Sequence, residues 1–205
     1  MKKLILTISI VFCFLGCSTS KNLKGKGFSA AEKALVINGK ALKPMRVYKI
    51  TNTSDSLLLR KKSTYIKPNP EDLVLKTFVK RLYATVRDSL SLGVGIAAPQ
   101  VGVLKNIIWV QRFDKENFPF EVYLNPTINN YSETTQSVRE GCLSIPDRSE
   151  TLNSRSQEIL IEYDTMDGAH LKETVEGFTA VIFQHEIDHL NGILYLDHLE
   201  KELKE

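Results

Sequence analysis

Between residues 69 and 93 the chain carries its clearest helical pattern, with Leu75, Phe78, Val79, Leu82, Tyr83 and Val86 at the spacing of one buried stripe. Asn69-Pro70-Glu71-Asp72 precedes it as a cap residue, a proline at the first helical position and acids in the first turn, and Gly93 marks the end. Elsewhere the period shortens. Met45 to Ile50 alternates as a strand does, and Asn106 to Gln111 and Phe120 to Leu124 read as short strands, the second closed by Pro126. Gln157 to Tyr163 and His170 to Val175 read as a hairpin across Asp167-Gly168. A second helix is predicted from about Gly177 to Leu190, stopping at Asn191-Gly192. Strands joined mostly by turns, with two helices and no internal repeat, predict an α+β domain.

The N-terminal stretch follows a different pattern. Lys2 and Lys3 precede an apolar run, Leu4 to Leu15, broken only by Thr7 and Ser9. The run is shorter than the ~20 residues of a membrane-spanning helix and has the layout of a secretory signal. It ends in Phe14-Leu15-Gly16-Cys17, where a small residue before cysteine resembles a bacterial lipobox. That places a lipidated Cys17 at the mature N-terminus and the protein at the cell envelope; an ordinary signal peptide or an uncleaved anchor is the plainer alternative. If the signal is not used, the protein is cytoplasmic. Residues 18–44, rich in Lys, Ser, Gly and Ala, read as a tether, which leaves 45–205 as the catalytic domain.

Composition narrows the class. With 42% hydrophobic and 25% charged residues, the chain falls outside the disordered and fibrous classes. A chain of 205 residues can bury a core without disulfides or a structural metal, so a metal here would serve chemistry. The net charge of +3 comes with no basic stripe interleaved with aromatics, which argues against a nucleic-acid partner. Cys13 and Cys17 fall in the leader, leaving Cys142 alone in the body of the protein.

The chemistry concentrates in His185-Glu186-Ile187-Asp188-His189, within the second helix. Residues four apart share a helix face, so both imidazoles can reach one metal ion, and Glu186 can take the proton of an attacking water. The plain alternative is a helix with two satisfied surface histidines. A catalytic metal needs a third protein ligand. The long metalloprotease signature would place Gly192 correctly but needs a histidine where Tyr195 stands, and His198, Glu200 and Glu202 lie close to the chain end. The ligand is therefore expected upstream, where Glu140-Gly141-Cys142-Leu143-Ser144-Ile145-Pro146 holds a cysteine that alone would read as buried and structural. Further upstream is Gly93-Val94-Gly95-Ile96-Ala97-Ala98-Pro99-Gln100. It is not a dinucleotide fingerprint, since neither a leading strand nor a following helix is predicted; alone it would be a tight turn.

In this order the three segments resemble the three motifs of the peptide deformylase family, with Gln184 leading the last, and the resemblance runs from about Leu59-Arg60 to His198. It implies antiparallel sheets packed around a central metal-binding helix. It also implies Cys142, His185 and His189 as ligands of one divalent ion, Fe(II) before zinc, nickel or cobalt. Glu186 would shuttle the proton, while the Gln100 side-chain amide and the Leu143 backbone N–H would stabilise the oxyanion. The implied substrates are N-formyl-methionyl peptides or nascent-chain N-termini, paired with the Val94-Gly95-Ile96 edge as an added strand. Val94, Phe178, Val181 and Ile182 would line the methionine pocket, though each also reads as plain core. Asp188 either orients the metal helix or is an exposed helix charge. The mixed-charge end, Leu199 to Glu205, lacks the basic helical tail of some deformylases and is unsuited to ribosomal RNA. Two other readings remain: a general zinc peptidase, needing a downstream ligand, and a lipid-anchored metal-binding protein with an idle or repurposed amidase site.

Overall fold

The computed structural model describes residues 27–39, 43–88 and 93–204. The apolar leader and Cys17 lie outside the described residues. Among the described residues no helix is long and apolar enough to cross a membrane.

Five antiparallel strands form the main sheet: β1 (Gly95–Ala97), β2 (Ile107–Gln111), β3 (Phe120–Tyr131), and then β6 (Glu158–Asp164) and β7 (His170–Glu176), in the order β1-β2-β3-β6-β7. Between β3 and β6 the chain forms a separate hairpin, β4 (Thr135–Cys142) with β5 (Ile145–Ser156). Strand alternation assigns β2 to two cores at once. Ile107 and Trp109 face α3 (Leu73–Val86), with Leu75, Phe78 and Leu82. Ile108 and Val110 face α4 (Gly177–Leu190), with Ala180, Phe183 and Ile187. A third, smaller core joins Ile145 and Leu152 of β5 to Tyr195 of α5 (Tyr195–Glu202). Helix α4 is thus held between the main sheet and the hairpin, and ten of its fourteen residues are buried. That burial explains why it is apolar around most of its circumference.

Several boundaries differ from the sequence reading. Helix α3 begins later than predicted: Asp72 is its cap, accepting from the N–H groups of Val74 and Leu75, and Asn69-Pro70-Glu71 lies in the turn before it. The helix ends at Val86, ahead of Gly93. Met45–Ile50 is extended but joins no sheet. Strand β3 continues through Pro126 because the register shifts there, with Asn125 in the left-handed region at φ 52°. A bulge tolerates the missing N–H of proline. Gly192 ends α4 at φ 76°, and a Cβ there would come within 2.4 Å of the Arg60 carbonyl oxygen, so glycine is needed for space as well as for conformation.

The stretch read as a tether is not without a core. Residues Ala30–Ile37 form a helix, α1, opened by a capping box between Ser29 and Glu32. Phe28 and Val36 are buried against α3, with Phe28 edge-on to Phe78 at 5.7 Å. The buried Arg81 guanidinium of α3 donates to the carbonyls of Leu35 and Val36 at 3.0 and 2.8 Å and to Lys43, satisfying groups that the helix end leaves open. Arg81→Met should therefore cost about 1–3 kcal/mol, read as a lower urea midpoint, because buried carbonyls lose their donor. An unchanged midpoint would mean that α1 contributes nothing to stability.

Candidate active site

Three elements bring the predicted residues together. The glycine-rich run is itself strand β1 followed by a 3-10 turn, Ala98–Val101, which buries Gln100. Cys142 stands at the tip of the β4–β5 hairpin, where the register shifts between Gly141 and Cys142. Such a shift re-aims a side chain. His185, Glu186 and His189 come from consecutive turns of α4. All three elements line one cleft of about 500 Å³, along with Val94, Leu143, Phe178, Val181 and Ile182. Of the residues read from the sequence, only Ile96 and His189 are not on its wall. Ile96 is fully buried in the α3 core, and His189 lies behind Cys142.

Candidate ligand atoms of Cys142, His185 and His189 lie within 4.8 Å of one another, with Cys142 Sγ 3.2 Å from His189 Nε2. One thiolate and two imidazoles at this spacing suit a single ion with bonds of about 2.0–2.3 Å. His185 Nδ1 lies 2.7 Å from Glu140 Oε2; donating there leaves Nε2 for the cluster. Burial works against a Cys142 thiolate, yet the neighbouring histidines outweigh it and hold the thiol well below its usual range.

Glu186 is 4% exposed, and its Oε2 has no hydrogen-bond partner among the described residues. Burial pushes its carboxyl up to about 7, against the pull of His185 and His189. An unanswered carboxylate oxygen in a closed site implies a ligand or water that answers it. Glycine at 95 makes room for this group: a Cβ there would stand 2.4 Å from Glu186 Oε1 and 2.8 Å from Ile182 Cγ2. Gly95 thus borders the carboxylate as well as the cleft.

Gln100 has its orientation imposed on it. Its Oε1 accepts the Ala97 N–H at 2.8 Å, so the amide nitrogen must face the other way, 3.6 Å from Cys142 Sγ and 3.3 Å from Ser144 Oγ. Asp188, left open between two readings, is largely buried and accepts from Arg155 Nη1 at 2.7 Å, with His198 Nε2 at 2.8 Å.

Sequence reasoning missed the partners behind the site. Arg155 of β5 grips Glu140 through Nε and Nη2 at 2.6 and 3.0 Å and reaches Asp188 with its third nitrogen. Burial works against a Glu140 carboxylate, yet the His185 hydrogen bond and the Arg155 ion pair prevail and hold its carboxyl down at about 2. Only the glutamate within the cysteine motif pointed here; nothing local marked Arg155, and His198 read only as a poorly placed candidate ligand.

A family model described as polypeptide deformylase matches residues 47–205. A peptide deformylase of Desulforudis audaxviator is 37% identical over 155 residues, covering 75% of this chain and 94% of that protein. One from Leptospira biflexa is 32% identical over 163 residues, covering 76% and 89%. Among solved structures, the Met-Ala-Ser-bound class I type b peptide deformylase of Acinetobacter baumannii superposes with a TM-score of 0.64 at 32% identity, covering 76% of this chain and 98% of that one. The Thermotoga maritima peptide deformylase gives 0.65 at 31% identity, covering 76% and 97%. Fold, motif order and extent of match agree, and the chain belongs to the peptide deformylase family.

Proposed function

We propose that this protein hydrolyses the formyl amide of N-formyl-methionyl peptides, releasing formate and a free amino terminus. The observation that carries the reading is the convergence of one thiolate and two imidazoles beside a buried carboxyl with an unpartnered oxygen. Cys142, His185 and His189 would hold one divalent ion, Fe(II) by family resemblance, with zinc, nickel or cobalt as substitutes. Such an ion supplies Lewis-acid activation of the attacking water and of the formyl oxygen.

The chain's own residues supply the rest. Glu186, poised near neutrality, takes a proton from the water as its oxygen bonds to the formyl carbon, and returns it to the amine nitrogen as the C–N bond breaks. The Gln100 amide and the Leu143 backbone N–H face the charge that builds on the former carbonyl oxygen. Gln100 is suited to this because its carbonyl end is already committed to Ala97. An extended substrate would lie along Val94-Gly95-Ile96 through backbone contacts, and its methionine would enter the apolar end of the cleft formed by Val94, Phe178, Val181 and Ile182. The leader reading adds a lipid anchor at Cys17, which would put this chemistry at the cell envelope on formylated peptides there.

Glu186→Ala should leave metal content nearly unchanged and lower turnover of formyl-Met peptides by about 10²–10⁴-fold, since a positioned acid–base group is lost. Turnover that persists in Glu186→Ala would sink the mechanism, while wild type as inactive as the variant, with metal bound in both, would favour an idle site. Cys142→Ala should bind metal far less tightly; full occupancy by metal analysis would show that the third ligand is another residue. Cys17→Ser should move the protein from the membrane to the soluble fraction, and a mature N-terminus at Met1 would remove the anchor.

A further inference from the structure

The cleft has two chemically different ends. Its depth holds Cys142, His185 and Glu186 and the apolar side chains of Val181 and Ile182, with Phe178 exposed at the edge, whereas its rim holds Lys49, Arg139 and Arg148 against Asp147 and against Glu150, which pairs with Arg148. All three cations are exposed, and they come from three places in the chain: the segment before α2 (Thr53–Leu59), strand β4, and the start of β5. Their charge is only partly spent. Arg139 gives its Nε to Ser149 Oγ at 2.9 Å, and Arg148 gives its Nε to Glu150 Oε1 at 2.8 Å. Their Nη groups and Lys49 Nζ have no hydrogen-bond partner among the described residues. The backbone of Arg148 is fixed, since its carbonyl accepts the Tyr195 hydroxyl at 3.1 Å.

Resting on the deformylase reading, we infer that this rim selects formyl-Met peptides that carry a carboxylate one or two residues beyond the methionine. With the formyl carbon at the bottom of the cleft and the methionine side chain in the apolar end, the chain that follows has to leave past the rim. At about 3.3 Å per extended residue, its second and third residues reach the mouth of a cleft of about 500 Å³. An excess of one sign of charge at a cleft mouth, above low-dielectric walls, concentrates the field and raises the capture rate of the opposite charge. The buried glutamates do not cancel this rim: Glu140 is bound by Arg155 and Glu186 lies beside the histidines, while Asp147 and Glu150 offset two of the three cations and leave a net positive charge at the mouth. The carboxylate can come from an acidic side chain or from the free C-terminus of a short peptide, and both present the same chemistry.

The test uses metal-loaded full-length protein and four peptides: formyl-Met-Ala-Asp-amide, formyl-Met-Ala-Ala with a free C-terminus, formyl-Met-Ala-Ala-amide and formyl-Met-Ala-Lys-amide. Values of kcat/KM should fall in the order carboxylate, neutral, lysine, with about three- to tenfold between the extremes at low salt, and the span should shrink at high ionic strength. A gain confined to the free C-terminus identifies short released peptides as the fitting source; a gain for aspartate as well identifies the charge itself. In Lys49→Glu/Arg139→Glu/Arg148→Glu the order should invert, and in Arg139→Gln/Arg148→Gln the span should narrow. Because the readout is a ratio on one protein, lower overall activity does not imitate it. Affinities of the intact peptides for the Glu186→Gln protein give the same ratio without turnover. Discrimination in binding with no wild-type turnover supports the rim while refuting the deformylase reading. Equal values across all four peptides, a preference for lysine, or an unchanged order in the charge-reversed variant would overturn the inference.

Discussion

A carboxylate in a protein interior is tolerated only when its lone pairs are answered, and Glu140 meets that condition by joining β4, β5 and α4. Its Oε1 accepts from Arg155, and its Oε2 is shared by Arg155 and His185. Arg155 continues to Asp188, and Asp188 to His198 of α5. Glu140 and Arg155 are both desolvated, so neither could be left without the other at acceptable cost. One outcome is mechanical: the hairpin that presents Cys142 cannot shift relative to the helix that presents His185 and His189 without breaking this chain. Gln184 adds a neutral clasp between the same elements, accepting the Ser156 N–H and donating to its carbonyl, both at 3.0 Å.

The same packing sets the acid–base chemistry. Helix α4 is enclosed by the main sheet on one side and the hairpin on the other, so a carboxyl on its cleft-facing side lies in a poorly solvating environment. Glu140 and Glu186 are both buried, yet their acidities move in opposite directions, down to about 2 and up to about 7. Partners account for the difference. Glu140 has a guanidinium and an imidazole in hydrogen-bond contact, whereas one oxygen of Glu186 has no partner among the described residues. A firmly ionised carboxylate and a carboxyl poised near neutrality therefore arise from one residue type, separated by what each touches.

Much of this was legible along the chain, and the omissions have a common cause. Helices α3 and α4 and the β6–β7 hairpin each bury one coherent apolar set, so their periods are visible in the residues. Hairpin β4–β5 is not: its inward positions include Glu140, Arg155 and Ser156, and burying polar groups erases the apolar alternation that announces a strand. Helix α1 was hidden in a similar way, because only Phe28 and Val36 of that segment are fully buried in the core, with Leu35 packed at its edge, and its far end is satisfied by an arginine some 45 residues away. The cluster of Cys142, His185 and His189, with Glu186 beside it, could be named because these residues lie in compact motifs. Arg155 and His198 could not, since their meaning depends on tertiary contacts across 15 and 10 residues to Glu140 and Asp188.

Met45–Ile50 shows how a correct local pattern can serve another purpose. Its alternation is real, but it pairs with no strand; its N–H groups are distributed to separate elements, two of them at the site. Met45 donates to the Thr85 hydroxyl, Tyr48 to the Gln100 carbonyl at 2.7 Å, and Ile50 to the Ser144 carbonyl at 3.0 Å. Asp55 secures the segment from α2, taking the Lys49 N–H and the Arg46 guanidinium. The two backbone groups it holds belong to the turn that carries Gln100 and the hairpin tip that carries Cys142 and Leu143. A loop alone could not keep the Gln100 amide and the Leu143 N–H in fixed relation, because each would move with its own connection. An extended strap joining both at alternate residues removes that freedom, and it places Lys49 on the cleft lining in the same step.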